Sequence, residues 1–229
     1  QDNYAYVVDF FKGLAKVDIT NLSQPATVSF YSTNIVNTPC YDVEIQGNNG
    51  YLACLTQYDI IDLSAMTTSQ QINVSNFMGR GVCVWDNKVA TLQFFGGVKV
   101  FDFTNPSSFI ALSHSPNLAS PEKVLSRKDL LIVNEPDQGL IVVYNATDPL
   151  HPYAVNTQYA YTNDICIYNQ FYLYTLEDDY GIATYALNPL GDMTQLGEIA
   201  EDTVHSRNNL VMEGNKAFCS YSQTNPVKY

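Results

Sequence analysis

One phrase decides the fold of this chain: Gly97-Val-Lys-Val-Phe-Asp102-Phe-Thr-Asn-Pro106. It occurs earlier as Gly13-Leu-Ala-Lys-Val-Asp18-Ile-Thr-Asn21 and later, one residue longer, as Gly139-Leu-Ile-Val-Val-Tyr-Asn145-Ala-Thr-Asp-Pro149. Weaker copies are Tyr58-Asp-Ile-Ile-Asp62-Leu-Ser64 and Gly181-Ile-Ala-Thr-Tyr185-Ala-Leu-Asn-Pro189. The anchor positions 18, 62, 102, 145 and 185 are 44, 40, 43 and 40 residues apart. A period of roughly 40–45 residues built from short strands is typical of β-propeller blades.

Each copy of the phrase lies within a repeat of four short strands. Runs rich in Val, Ile, Tyr and Phe and bounded by Gly, Asn and Pro predict strands at 81–85, 88–93, 98–102 and 108–112, and in the fifth repeat at 164–168, 171–175, 182–185 and 194–199. Helical periodicity is absent from the sequence. We therefore expect an all-β fold: a β-propeller of about six four-stranded repeats, five of them clear. We expect residues 1–229 to form a single domain whose first and last repeats are partial.

The turn after the third strand has a structural explanation. Asp18, Asp62, Asp102 and Asn145 can each accept a backbone N–H from two residues further on, which makes an Asx turn. Proline then follows in several copies and stops the strand, because it has no N–H to donate. These anchor residues are therefore expected to shape turns rather than to catalyse a reaction.

The phrase resembles the LVIVD repeat of secreted and cell-surface β-propellers. The resemblance rests on Gly-Leu-x-x-Val-Asp-Ile-Thr-Asn followed by Pro25, and on Gly-Val-x-Val-Phe-Asp-Phe-Thr-Asn-Pro. It covers about five repeats, although Asn145 and Tyr185 replace the aspartate in two of them. The resemblance implies a propeller in an extracellular setting, and it carries no catalytic residues.

Composition narrows the classes of partner. The chain has 229 residues, a net charge of −12 and only 11 basic residues, with no basic cluster. Nucleic-acid binding needs clustered Lys and Arg, so we expect no nucleic-acid partner. No apolar run is long enough to span a membrane. The chain opens at Gln1 rather than Met, which indicates a processed or partial product.

Cysteines and glycosylation sequons bear on the compartment. The five cysteines are Cys40, Cys54, Cys83, Cys166 and Cys219, and they include no Cys-x-x-Cys pair. Two disulfides with one free thiol, or scattered buried thiols, both remain open. Three sequons, at Asn21, Asn73 and Asn145, predict N-linked glycans and favour an extracellular or cell-surface location.

The connections between second and third strands share one face of a propeller, and their composition is acidic and aromatic. The residues predicted to form this recognition face are Phe10, Phe11, Tyr58, Phe94, Phe95, Glu135, Asp137, Glu177, Asp178, Asp179 and Tyr180. Rings of this kind stack on ligands, and carboxylates bind hydroxyls, cations or basic partners. The alternative is that the rings pack between blades and the acids are solvated turn residues.

The two ends of the chain do not complete a blade. The first predicted strand has the character of a second strand, and the last repeat stops within its third strand. Six complete repeats would need about 250 residues at this period. Three alternatives remain open: protomers complete one another by strand exchange, residues beyond Tyr229 supply the missing strands, or closure is imperfect.

Signals for catalysis and for cofactors are sparse. The chain has no Gly-x-Ser-x-Gly, no P-loop and no His-Glu-x-x-His. Glu177-Asp178-Asp179 could supply oxygens to a structural calcium, but it lacks the Asp-x-Asp-x-Asp-Gly loop. We expect no other cofactor and no further metal.

Two functions follow. The first is a non-catalytic extracellular propeller that acts as an interaction or structural module, for example as a protomer of a surface coat or filament, with other protein subunits or carbohydrate as its partners. The second is a glycoside hydrolase that uses a carboxylate pair on the acidic face, which would require carboxyl groups about 5–9.5 Å apart.

Overall fold

The computed structural model describes residues 3–33, 38–73, 79–94, 96–102, 110–115, 118–177, 181–199 and 206–222. In these residues the chain forms short strands and one 3-10 helix, Pro136–Gln138. Neighbouring strands pair in chain order into six separate sheets, four of which have four strands. The prediction of an all-β fold built from four-stranded repeats is therefore confirmed.

The strands of each sheet are as follows. Sheet 1 contains β1 (Tyr4–Asp9), β2 (Gly13–Asp18) and β3 (Ala26–Tyr31). Sheet 2 contains β4 (Cys40–Gln46), β5 (Asn49–Cys54), β6 (Gln57–Asp62) and β7 (Thr67–Asn73). Sheet 3 contains β8 (Gly79–Trp85), β9 (Lys88–Gln93), β10 (Gly97–Asp102) and β11 (Ile110–Ser115). Sheet 4 contains β12 (Lys123–Arg127), β13 (Leu130–Glu135), β14 (Leu140–Asn145) and β15 (Tyr153–Tyr159). Sheet 5 contains β16 (Thr162–Tyr168), β17 (Tyr172–Glu177), β18 (Gly181–Leu187) and β19 (Met193–Ile199), and sheet 6 contains β20 (Ser206–Glu213) and β21 (Lys216–Ser222).

The repeated phrase forms the third strand of every complete sheet. In four of its five copies the phrase begins at a glycine with positive φ, and Gly13 in sheet 1 shows why; the copy in sheet 2 begins at Gln57 instead. The φ of Gly13 is +98°, and a Cβ placed there would lie 2.4 Å from the carbonyl oxygen of Tyr31. Only glycine fits both the backbone conformation and this close approach. Because β2 carries the phrase, β1 is a second strand, as the sequence predicts.

The predicted Asx turns are present where the structure describes them. The side-chain oxygen of Asp18 accepts the N–H of Thr20 at 2.8 Å, and that of Asn145 accepts the N–H of Thr147 at 2.9 Å. Asp62 accepts N–H groups from Ser64 and Ala65. These bonds favour the charged carboxylate, and the pKa of Asp62 is lowered to about 2, chiefly by hydrogen bonds from Ser64.

In the fifth repeat, the turn residue does not lie at Tyr185, the position that comparison with the other copies of the phrase predicted. Strand β18 continues past Tyr185 to Leu187, and Asn188 takes the turn position by accepting the N–H of Leu190 at 2.8 Å. Tyr185 is buried instead. The predicted position was wrong because the third strand of the fifth repeat contains two additional residues before the turn.

A β-bulge recurs at one place in every pairing of third and fourth strands. The register shifts fall at Lys16/Val17, Ile60/Ile61, Val100/Phe101, Val143/Tyr144 and Thr184/Tyr185. A bulge bends the strand and increases its twist. No pattern in the repeated phrase predicted this bulge.

The chain divides into two compact units, Gln1–Val124 with Pro149–His151, and Leu125–Asp148 with Pro152–Tyr229. In the first unit, Leu14 and Tyr31 of sheet 1 pack on Leu52 and Ile61 of sheet 2. Tyr51 and Ala53 on the other face of sheet 2 pack against sheet 3. That the two units make one domain stays a prediction.

The core of the second unit lies between sheets 4 and 5. Ile132 and Val143 of sheet 4 pack against Ile165, Leu173 and Tyr185 of sheet 5. Removal of such side chains from water supplies most of the stabilisation of stacked sheets. The residues that pack between the two sheets are alternate residues of their strands, such as Leu130 and Ile132 of β13 and Ile141 and Val143 of β14.

Cys40 and Cys54 lie directly opposite each other on β4 and β5 and form a disulfide. Cys83, Cys166 and Cys219 take no part in a disulfide. Of the pairings that the sequence left open, the structure thus contains one disulfide, within a single sheet.

Candidate binding site

Aromatic side chains from three consecutive sheets come together in the first compact unit. We call this set, Phe11, Phe10, Tyr41, Arg80 and Phe94, the aromatic strip. The Phe10 ring makes edge contacts with the Phe11 ring at 4.7 Å and the Tyr41 ring at 5.4 Å between centroids. The Arg80 guanidinium carbon lies 5.7 Å from the Tyr41 ring centroid and 5.4 Å from that of Phe94. Edge-to-face rings and stacked guanidinium groups are both attractive arrangements.

The local folding of the first sheet explains the position of Phe10 and Phe11. They lie in the turn between β1 and β2, where a carboxylate oxygen of Asp9 accepts the N–H groups of Phe11 and Lys12, each at 3.1 Å. The Phe10 carbonyl accepts the N–H of Cys40 at 2.9 Å, which ties this turn to the start of β4. The next residue along β4 is Tyr41, so the two rings meet.

Arg80 supplies the charged member of the strip, and its charge is balanced. Its guanidinium forms an ion pair with Glu122 in addition to its two ring contacts. The pair is partly exposed, so we expect it to contribute little to stability. Its consequence for recognition is that the strip presents an apolar aromatic surface rather than a cationic one.

The two phenylalanines of the β1–β2 turn are open to solvent. Phe10 is 46% exposed and Phe11 is 64% exposed. A single exposed apolar residue needs no explanation, but adjoining exposed rings held by neighbours are a feature of binding surfaces. These two rings are therefore the most exposed part of the strip.

Three residues predicted for the recognition face are buried, and the prediction is corrected for them. Tyr58 is 5% exposed and donates its hydroxyl to the carbonyl of Leu92 at 2.8 Å. Glu135 is 1% exposed and Glu177 is 8% exposed. Tyr58 packs in the core between sheets 2 and 3, and the hydrogen-bond partners of Glu177 lie within its own sheet. The order of residues along the chain reveals neither arrangement.

Glu177 has a structural set of partners. It accepts a hydrogen bond from the hydroxyl of Thr175 at 2.9 Å and lies 3.4 Å from that of Tyr185. Burial and the neighbouring Glu177 charge raise the pKa of Tyr185 to about 12. The Glu177 carboxylate therefore forms its hydrogen bonds within sheet 5.

The remaining members of the predicted face are placed as follows. Asp137 is exposed, in the 3-10 helix Pro136–Gln138. Phe94 is partly exposed and belongs to the strip. Phe95, Asp178, Asp179 and Tyr180 lie outside the described residues. The calcium hypothesis at Glu177-Asp178-Asp179 is therefore untested.

The predicted glycosylation sites lie just after a third strand, at the end of a third strand and at the end of a fourth strand. Asn21 is exposed in the turn after β2, where its side-chain oxygen accepts the N–H of Ser23 at 3.1 Å. This turn is at the end of sheet 1 opposite Phe10. Asn145 is the last residue of β14 and Asn73 the last of β7. Their modification stays a prediction.

Sequence reasoning missed two features of the first unit. Tyr41 carried no motif, although it joins the strip. Asp59 is buried and accepts hydrogen bonds from Tyr31 at 2.9 Å, from Gln57 at 2.5 Å and from Gln71 at 3.1 Å. Burial raises the pKa of Asp59 above its ordinary value despite these donors. The available signal for this buried carboxylate was an aspartate within the otherwise apolar strand sequence Tyr58-Asp-Ile-Ile.

The described residues provide neither a metal cluster nor a membrane-spanning helix. Among them, no group of three or more His, Cys, Asp or Glu side chains could hold a metal ion. In the same part of the chain, no helix has the length and apolar character needed to cross a membrane.

Comparison with protein families agrees with the repeat. The model of the LVIVD repeat matches residues 1–33, which span sheet 1. The resemblance read from the phrase is therefore confirmed in this part of the chain. No curated protein matches the chain.

Solved structures of low identity share the fold. BamB from Moraxella catarrhalis is 16% identical with a TM-score of 0.67, over 96% of this chain and 65% of that one. The β-propeller domain of Cps50 (Swd1) from Myceliophteria thermophila is 12% identical with a TM-score of 0.73, over 95% and 76% of the two chains. The periplasmic gluconolactonase PpgL of Pseudomonas aeruginosa is 14% identical with a TM-score of 0.65, over 86% and 66%.

These comparisons define the class: the chain is a β-propeller protein. It spans 65% of the length of BamB. At such identities the likeness establishes the fold alone. Its function has to be argued from its own surface.

Proposed function

We propose that this protein is a non-catalytic extracellular interaction module that docks a protein partner through the aromatic strip. The observation that carries the proposal is the exposed pair Phe10 and Phe11, whose Phe10 ring contacts Tyr41, which in turn lies against Arg80. The partner class includes further subunits of a surface coat or filament.

The geometry favours recognition of an apolar protein surface. The Phe10 ring is already held by contacts with two other rings, so little side-chain entropy remains to be lost on binding. Aromatic anchors surrounded by polar residues are the usual centre of a protein interface. The ion pair between Arg80 and Glu122 supplies polar surface beside the rings.

A hydrolytic role has less support in the described residues. A glycoside hydrolase needs two accessible carboxyl groups on either side of the bond that it cleaves. Glu135 and Glu177 are buried, which leaves Asp137 as the exposed member of the predicted set within the described residues.

The proposed extracellular location rests on the Cys40–Cys54 disulfide and on the glycosylation sequon at Asn21. The Cys40–Cys54 disulfide is of the kind that persists in oxidising compartments. Asn21 is exposed within its sequon. A glycan there would lie at the opposite end of sheet 1 from Phe10 and would leave the aromatic strip bare.

Site-specific photocrosslinking tests the proposal. A benzoylphenylalanine at position 11 is expected to capture a partner from extracellular material of the source, and the same group at position 171 is not. Phe171 is a matched control because it is also an exposed turn phenylalanine, 59% accessible. Equal capture at both positions, or capture at 171 alone, would contradict docking through the strip.

A further inference from the structure

Two exposed tyrosines lie in the second compact unit, where β15 ends and β16 begins. Tyr159 is 81% exposed and Tyr161 is 69% exposed. Ala160, between them, is buried in the core between sheets 4 and 5, so the two flanking side chains point away from that core. The N–H of Ala160 donates to the carbonyl of Gly139 at 2.9 Å, which holds this connection against the turn between β13 and β14.

The Tyr161 ring lies flat against the backbone of Gly139. A Cβ placed at Gly139 would lie 2.8 Å from Cε1 of the ring and 2.9 Å from both Cδ1 and Cζ. Nearly equal distances to three consecutive ring atoms place this position above the face of the ring, because a position beside its edge would be much closer to one atom than to the other two. One face of the ring is therefore covered by glycine, and the exposure of Tyr161 leaves the opposite face open to solvent.

The turn that supports the ring also carries a carboxylate. The N–H of Gly139 donates to the carbonyl of Pro136 at 2.9 Å, and the exposed residues Asp137 and Gln138 directly precede this glycine. Within the described part of the chain, the Asp137 carboxylate forms no ion pair and no hydrogen bond. The site therefore combines an open ring face with a carboxylate that is available to a ligand.

Elsewhere in the chain, rings and carboxylates of this kind hold guanidinium groups. Arg80 lies over two rings of the aromatic strip and forms an ion pair with Glu122. In the second unit, the guanidinium carbon of Arg127 lies 5.6 Å from the centroid of the Phe171 ring. A guanidinium is planar and weakly hydrated, so it stacks on an aromatic face while its N–H groups donate to a carboxylate.

We propose that Tyr161 and Asp137 form a binding site for a guanidinium group, supplied by an arginine side chain of a partner protein. The guanidinium stacks on the open face of Tyr161 and donates hydrogen bonds to the Asp137 carboxylate, and the exposed ring of Tyr159 extends the contact surface. The net charge of −12 attracts a basic partner. This site shares no residue with the aromatic strip and goes beyond the function proposed above.

A saccharide is the other class of ligand that stacks on exposed tyrosine rings. The charge of Asp137 favours the guanidinium, because the carboxylate gains an ion pair with it. The neutral hydroxyl groups of a sugar only replace the hydrogen bonds that water already makes to the carboxylate, and such bonds are weaker than charge-assisted ones.

Nuclear magnetic resonance titration with small probes tests the site on the full chain. The probe is N-acetylarginine amide, and N-acetylcitrulline amide is its uncharged counterpart of similar shape. At constant ionic strength, the arginine probe should shift the amide signals of Gln138, Gly139 and Tyr161 saturably. We expect a dissociation constant on the order of 10 mM, since one stacking contact and one exposed ion pair give weak binding. The citrulline probe should bind at least about threefold more weakly.

Matched variants separate the ring from the carboxylate. Tyr161→Ala and Asp137→Asn should each weaken binding of the arginine probe at least about threefold, while Tyr161→Phe, which keeps the ring face, should bind it like the native chain. Tyr153→Ala and Asp129→Asn are the controls, because they remove an exposed ring and an exposed carboxylate from other positions of the same repeat. Neither control should change the binding.

Four results would overturn the proposal. They are the absence of a saturable shift at these amides, equal binding of the arginine and citrulline probes, equal weakening by Asp137→Asn and Asp129→Asn, and native binding by a Tyr161→Ala protein that circular dichroism shows to be folded. Tighter binding of methyl glucoside than of the arginine probe at the same amides would also overturn it and would identify the site as one for carbohydrate.

Discussion

Oδ2 of Asp42 in β4 accepts the N–H of Val82 in β8 at 3.1 Å, while its Oδ1 accepts the N–H of Val43 at 2.9 Å. One carboxylate thus joins the first strands of two consecutive sheets. The same arrangement recurs in the second unit, where Asp164 accepts the N–H of Leu210 at 2.6 Å and that of Ile165 at 2.8 Å. These residues anchor neighbouring sheets to each other at a position that carries no part of the repeated phrase.

We expect Asp164→Ala to lower the free energy of unfolding by about 2–3 kcal/mol, because it leaves two buried N–H groups without their charged acceptor. Chemical denaturation measures the change. Asp137→Ala is the control, since Asp137 is exposed, and its effect should stay within about 0.5 kcal/mol. An Asp164→Ala protein as stable as the control would show that the link contributes nothing.

Glycine at position 13 should be indispensable. Gly13→Ala would combine a φ of +98° with a Cβ 2.4 Å from the Tyr31 carbonyl oxygen, and we expect it to destabilise the chain by more than about 1 kcal/mol. Gly197→Ala is the matched control, because a Cβ at Gly197 meets nothing within 4 Å. Thermal unfolding of both variants measures the difference. Equal midpoints would contradict the steric argument.

Asp59 makes stability depend on pH. Burial raises its pKa above the ordinary 3.8, so the folded state binds its proton more tightly than the unfolded state does. The stabilisation of the folded state by this tighter proton binding is complete below the pKa that Asp59 has in the unfolded chain. It is lost as the pH rises through the pKa that Asp59 has in the folded chain. Asp59→Asn, which is uncharged throughout, should therefore be more stable than the native chain at neutral pH, with the difference shrinking toward pH 3.8. Urea titrations between pH 3.8 and neutral pH measure the difference in unfolding free energy between the two proteins. An Asp59→Asn variant that is less stable than the native chain at neutral pH would contradict the predicted sign of that difference.

The disulfide should stabilise sheet 2 measurably. Cys40 and Cys54 are 14 residues apart, and closing a loop of that size contributes about 3 kcal/mol. The double substitution Cys40→Ala, Cys54→Ala should lower the unfolding free energy by that amount in oxidising buffer. A reductant should then destabilise the native chain and leave the double variant unchanged. Sensitivity of the double variant to reductant would point to another disulfide.

The residue types of the strands, together with the repeated phrase, were enough to predict most of the strands and turns, because this information is local. Strand β9 was predicted with its observed limits, and Asp18, Asp62 and Asn145 make the expected Asx turns. The burial of Tyr58 and Glu135 could not be predicted from their positions beside turns. For Tyr58 it follows from packing against sheet 3. Exposure of a turn residue is decided by that packing and not by the turn itself.

The aromatic strip was predicted only in part for the same reason. Phe10, Phe11 and Phe94 were recognised by their position between second and third strands. Tyr41 belongs to a first strand, and its contact with the Phe10 ring follows from how consecutive sheets stack. A single sequence contains no direct record of such contacts.

Calorimetric titration of the crosslinked partner, once purified, tests docking through the aromatic strip most directly. The double variant Phe10→Ser, Phe11→Ser should raise the Kd at least about thirtyfold, as loss of two aromatic anchors of about 1 kcal/mol or more each implies. Phe171→Ser should bind like the native chain, and circular dichroism should show all three proteins folded. A double variant that binds with native affinity, or a Phe171→Ser protein that binds as weakly as the double variant, would contradict it.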